Sequence, residues 1–242
     1  MNHQNKNDMK KLFAFILAAT LVIPANAQFS SKRQKHDRFN HSNVEQYYGL
    51  RLGLSVASLS SDDVNFDMNS RTGLNFGAVY GLQLANSTPL WVEFGLLYTE
   101  KGGENNDFNS VVEINSIKYN YSQKVTTRLS YLQVPIVVKY AFDLADDLYL
   151  QPFLGGYLAL GIGGKTKEYG TTITGPIQIE RESHSSYDYF KRFDGGLRVG
   201  CGIEYRMVYA EAGFDFGLAN ISDNDFDATH TRSFFLNVGV NF

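Results

Sequence analysis

Phe234-Phe235-Leu236-Asn237-Val238-Gly239-Val240-Asn241-Phe242 closes the sequence, and it alternates without a break. Phe234, Leu236, Val238, Val240 and Phe242 fall on one face of an extended strand; Phe235, Asn237, Gly239 and Asn241 fall on the other. A period of two with one fully apolar face marks a half-buried strand. Chains that end in such a strand, with an aromatic last residue, are common among bacterial outer-membrane β-barrels. Phe242 is therefore read as a carboxy-terminal barrel-insertion signal.

Working back from that strand, the same period recurs seven times, over about 48–56, 74–84, 90–98, 132–142, 148–162, 193–205 and 208–218. In the first of these, Tyr48, Leu50, Leu52, Leu54 and Val56 oppose Gly49, Arg51, Gly53 and Ser55. In the fourth, Leu132, Val134, Ile136, Val138 and Tyr140 oppose Tyr131, Gln133, Pro135 and Lys139. Most of these runs are longer than the about 5–6 residues of a soluble strand and match the about 9–11 that cross a bilayer at a tilt. Strands of a parallel sheet covered on both faces would read as continuous apolar runs instead. The connections alternate strictly. Tight turns at 86–88, 143–146 and 206–207 are interleaved with long polar stretches at 60–70, 102–127, 166–189 and 220–231. All long loops then emerge at one end, as in outer-membrane barrels. The expected fold is all-β: an eight-stranded antiparallel up-and-down transmembrane barrel over 47–242.

Composition agrees. Charged residues are 19% and aromatics 14%, with 22 Gly, 15 Tyr and 18 Phe. Mean hydropathy is −0.24, too low for a bundle of membrane helices but suited to a barrel, in which every second residue faces lipid. A net charge of −3 argues against a nucleic-acid partner. The single cysteine, Cys201, cannot form an intrachain disulfide and is placed on the lipid face.

At the amino terminus, Lys10 and Lys11 precede an apolar run over 12–23, then Pro24 and Ala25-Asn26-Ala27. That order is a secretory signal with its cleavage site, so 1–27 is expected to be removed, with Met9 an alternative start. Residues 28–46 are polar, basic at first and without period, and are read as a flexible periplasmic leader. The expected location is the outer membrane of a Gram-negative cell. The expected partners are outer-membrane lipids and lipopolysaccharide, the barrel-assembly machinery during insertion, and an envelope protein met through the long extracellular loops.

The segment Tyr131-Leu132-Gln133-Val134-Pro135-Ile136-Val137-Val138-Lys139-Tyr140 resembles the "Y-L-x-[IV]-P-[LI]-x-x-K-Y" strand of the PorT-like outer-membrane β-barrel family of Bacteroidetes-type bacteria. Asp194-Gly195-Gly196 leading to Gly200-Cys201-Gly202-Ile203-Glu204-Tyr205 is similar too, and the likeness runs over about 45–242. It implies a small barrel in the outer membrane. It implies little about activity, although the member that names the family is associated with a secretion and gliding apparatus.

An eight-stranded barrel has an interior just wide enough for side chains to fill. The inward faces carry Arg51, Lys139, Arg198 and Arg206 against Glu93, Asp194, Glu204, Glu211 and Asp215. Charges in low dielectric persist when paired and hydrogen-bonded, so these residues are read as a structural ion-pair network that closes the lumen. Trp91, Tyr131, Phe153, Tyr157 and Tyr209 fill further volume. Tyr47, Tyr48, Tyr98, Tyr140, Phe142, Phe193, Tyr205 and Phe242 lie near strand ends and suit two aromatic girdles. Pro135, inside a strand, is expected to mark a bulge or bend.

The expected role is non-enzymatic: structural, adhesive, or a subunit of an envelope assembly, a secretion apparatus included. A narrow channel for small solutes is one alternative. A lipid-active outer-membrane hydrolase is the other, because the loop Ser183-His184-Ser185-Ser186 with Asp188 holds the residue types of a Ser-His-Asp site. Adjacent residues rarely assemble one, so no catalytic residue is assigned. No histidine pair has metal-ligand spacing, and no cofactor is expected. Asp62, Asp63, Asp67, Asp223, Asp225 and Asp227 offer oxygen ligands for divalent cations or are plain solvated charges. The second half of 102–127 alternates, which suggests that the third and fourth strands continue beyond the membrane as a ribbon.

Overall fold

The computed structural model describes residues 45–61, 69–85, 88–114, 117–172, 179–223 and 228–242. The signal segment, nearly all of the leader and Asp62, Asp63, Asp67, Asp225 and Asp227 lie outside these residues. The chain forms β1 (Gln46–Ser61), β2 (Asn69–Gln83), β3 (Leu90–Ile114), β4 (Ile117–Tyr140), β5 (Phe142–Ala145), β6 (Leu148–Thr172), β7 (Ile179–Ser185), β8 (Phe193–Tyr205), β9 (Val208–Gly217) and β10 (Thr229–Asn241). A 3₁₀ turn, Ser186–Asp188, follows β7.

Every strand pairing is antiparallel. The order runs β4-β3-β2-β1-β10-β9-β8-β6, and β4 also pairs with β6, so eight strands close on themselves. Closure removes the free edge that would leave backbone groups unsatisfied in hydrocarbon. The seam between the first and last strands is in register, with Leu50 opposite Val240, Leu52 opposite Val238 and Leu54 opposite Leu236. The Phe242 amide donates to the Tyr48 carbonyl at 2.7 Å, and the Tyr48 amide donates back at 3.3 Å. Along β1, β4 and β10 the residues expected to face lipid are exposed, except the half-buried Val240, and the alternate residues are buried, except the half-buried Gly53 and Gly239.

Several expectations are corrected. The stretch 166–189 is not mainly loop, and the ribbon expected from the second half of 102–127 is present and already begins in its first half. β3 and β4 stay paired out to Ile114 and Ile117, and β6 turns back on β7 with Lys165 opposite Ser185. Pro135 causes no bulge: pairing with β3 passes from Phe94–Ile136 to Leu97–Gln133 without a change of register. The missing donor is accommodated where Gly95 faces the ring; a side chain at Gly95 would come within 3.0 Å of the proline Cγ. The offset between β4 and β6 lies instead at Ser130/Tyr131, opposite Gly163 and Gly161, so Ile162 is the extra residue. Tyr47 belongs to no girdle, because it points inward and is buried. Tyr48, Tyr140, Phe142, Phe193, Tyr205 and Phe242 are exposed on the outer wall.

Candidate functional site

Alternation puts every second side chain into a space about as wide as the side chains themselves. Nine charged residues are buried there among the described residues: Arg51, Lys101, Lys139 and Arg198, and Glu93, Asp194, Glu204, Glu211 and Asp215. They form three tiers.

Nearest the short turns, one oxygen of Glu93 accepts from Tyr47 OH at 2.5 Å, Lys139 Nζ at 2.7 Å and Arg51 Nη2 at 3.2 Å. Lys139 also donates to Tyr209 OH at 2.9 Å. The Arg51 guanidinium lies over the Tyr209 ring at 4.1 Å and donates to Asn241 Oδ1 at 2.8 Å. Asn241 in turn donates to Glu204, which also accepts from Gln151.

In the middle tier, Arg198 Nη1 lies 3.0 Å from both oxygens of Asp215, and its guanidinium stacks 3.6 Å from the centre of the Phe235 ring. Gln133 donates to Asp215, and Asn237 donates to Glu211. In the third tier, Lys101 Nζ donates to Asp194 Oδ2 at 2.8 Å, and both side chains are 0% exposed. Thr231 and Tyr157 hydroxyls donate to the same carboxylate. Above this pair sits an apolar layer of Leu59, Leu129, Tyr131, Phe190 and Ile221. Phe190 and Ile221 come from the connections flanking β8 and β9, which are tied together where Lys191 N donates to Ile221 O at 2.7 Å.

Eight of the nine residues read as the lumen network therefore lie in the lumen. Arg206 does not. It occupies the tight β8–β9 turn at a left-handed φ of 58°, which takes it out of the strand alternation. There it makes an exposed pair with Asp147 at 3.7 Å. Lys101 is the cation that the sequence reading passed over. Its parity with Glu93 and Thr99 puts it on the inward face, but the glycines directly after it suggest the start of a loop.

In the Ser-rich segment, the Ser185 hydroxyl accepts from the Tyr187 amide at 3.3 Å. The Ser186 hydroxyl is buried, donates to the Arg128 carbonyl at 2.9 Å and meets Thr166 Oγ1 at 3.1 Å. Tyr187 beside it donates to the Ser130 carbonyl at 3.1 Å, and burial pushes its phenol up, so it stays protonated. Cys201 is exposed on the outer wall. Among the described residues, no three His, Cys, Asp or Glu side chains are grouped to hold a metal ion.

The outer membrane protein beta-barrel domain family matches residues 26–223. The chain belongs to this outer-membrane β-barrel family. In barrels of this kind long connections are extracellular and short turns periplasmic. No curated protein matches the chain. Among solved structures it is similar to Ail, the attachment invasion locus protein of Yersinia pestis, with 14% identity, a TM-score of 0.37, and 82% of this chain and 99% of that one covered. It is also similar to a major outer membrane protein of Thermus thermophilus, with 12% identity, a TM-score of 0.41, and 82% and 100% covered. For the outer membrane protein OprG of Pseudomonas aeruginosa the figures are 9%, 0.39, 81% and 95%. These likenesses carry no argument about what the barrel does.

Proposed function

We propose that this barrel is a non-conducting, non-enzymatic anchor that displays a β-ribbon outside the cell to a protein partner of the envelope. The observation that carries this reading is an inequality of strand length. β3, β4 and β6 have 25, 24 and 25 residues, whereas β8, β9 and β10 have 13, 10 and 13. About 11 residues suffice to cross the bilayer, so about a dozen per long strand stand clear, roughly 40 Å along the strand. Paired strands held out in this way offer edges for β-strand addition by another chain. The paired, apolar-capped lumen supports the non-conducting half of the proposal.

The strand-four motif at 131–140 supports placing the chain among the PorT-like barrels, and with them an envelope or secretion assembly as the setting. Phe242, bonded to Tyr48 at the seam, is the segment we assign to the barrel-assembly machinery during insertion. Purification from native membranes in mild detergent tests the display role. The full chain should bring down a stoichiometric protein partner, and a variant with 105–124 replaced by a two-residue turn should lose it while remaining heat-modifiable on a gel. Retention of the partner by the shortened barrel would overturn the assignment to the ribbon. A stable unitary conductance in planar bilayers would overturn the closed lumen.

A further inference from the structure

On the outer wall, at the extracellular limit of the apolar band, four cations surround a cleft of about 490 Å³: Arg71, Arg128, Lys165 and Lys167. Register places three of them on one face. Leu132 and Leu160 are opposite one another and exposed toward the membrane. Two residues further along β4, Ser130 is opposite Gly163, then Arg128 opposite Lys165 and Thr126 opposite Lys167. The bulge at Ile162 creates this arrangement. Below it the odd-numbered residues of β6, such as Tyr157, Ala159 and Gly161, are buried inside the barrel; above it Lys165 and Lys167 are exposed and Thr166 is buried. A bulge that re-aims side chains is a feature with a local purpose rather than a defect.

The charge distribution is one-sided. Arg128 and Lys165 are like charges directly opposite on adjacent strands, an arrangement that destabilises a sheet. Glu100 is the carboxylate at this site, and it is already shared: Arg128 pairs with one oxygen, and Arg71 Nη2 lies 3.9 Å from the other. Neither Lys165 nor Lys167 has a carboxylate partner among the described residues, and Arg71 Nη1 is buried without a hydrogen-bond partner among them. The other strand neighbours of the lysines are hydroxyls: Ser185 and Ser183 on β7, and Thr126 on β4. This clustering occurs in a chain whose net charge is −3.

We infer that this cleft binds the phosphate groups of an outer-leaflet glycolipid headgroup. Position selects the source. The cations stand directly above Leu132, Leu160 and Ile162, so a ligand held here has its phosphate against amines and hydroxyls and its acyl chains against the apolar wall. Cations near a membrane surface contribute about 1 kcal/mol each toward anionic lipid. The inference stands on the barrel's membrane embedding and not on the ribbon's partner.

Native mass spectrometry of the full barrel released from detergent, titrated with bis-phosphorylated lipid A, reads the site directly. Wild type should retain the lipid, and K165Q/K167Q should weaken binding about tenfold or more while the heat-modifiable band is unchanged. Dephosphorylated lipid A should bind wild type and variant equally weakly. Equal retention of the bis-phosphorylated lipid by wild type and variant would overturn the site. Inorganic pyrophosphate binding wild type as tightly as the lipid would overturn the headgroup as its ligand.

Discussion

The inner and outer walls of this barrel carry charge in opposite ways. Inside, four cations meet five carboxylates, and each cation lies within 4 Å of an acid. Outside, at the headgroup level, four cations line one cleft, and the carboxylate there, Glu100, is taken up by Arg71 and Arg128, leaving Lys165 and Lys167 without an acid among the described residues. A charge sealed from water is tolerated when its partner is built into the same chain, because desolvation otherwise costs several kcal/mol. A charge at the membrane rim needs no built-in partner, since water and lipid phosphate are at hand. Internal pairing of every cation thus accompanies closure, and external imbalance accompanies a surface that faces a ligand.

The largest effect should come from breaking a buried pair inside. D194A leaves Lys101 buried with no carboxylate and should cost about 3–5 kcal/mol, whereas K101M/D194L should recover most of that loss. Urea titrations in detergent, followed by heat-dependent gel mobility, measure both. A single variant no less stable than the double would show that water reaches the lumen. Next comes a charge placed on the apolar outer band. V134R, midway along the exposed run of β4, should cost about 2–4 kcal/mol in lipid vesicles, and much less if that wall is not in hydrocarbon. The smallest effect belongs to R206A. Its pair with Asp147 is exposed on both sides, at 68% and 49%, and removal should change stability by less than about 0.5 kcal/mol. A loss comparable to that of D194A would return Arg206 to the structural network.

Period and parity were legible wherever alternation ran unbroken. Arg51, Glu93, Lys139 and Asp194 could be sent inward by counting residues from a lipid-facing leucine or tyrosine. Counting fails where the backbone departs from strand geometry. Arg206 has inward parity with Glu204, but its left-handed φ belongs to a turn. Lys165 has inward parity with Gly161 and Gly163, yet one extra residue at Ile162 delivers it to the outer wall. Lys101 was obscured differently. The glycines after it suggest a loop, whereas Gly102 at φ 142° sits where a side chain would strike the Thr127 carbonyl, and the strand runs on through it.

The sequence by itself determined a period of two, eight times over, with an apolar face against a polar one and long connections alternating with short. A barrel of this strand number and orientation follows, because apolar faces must meet hydrocarbon and no edge can be left open there. The tertiary structure decided which charges meet. Lys101 finds Asp194 from strands that are not neighbours, and Arg128 finds Lys165 through a register that a single bulge resets. Alternation fixes only the face of a side chain. Its partner depends on the stagger of strands around the closed sheet, and that is set by all the pairings together.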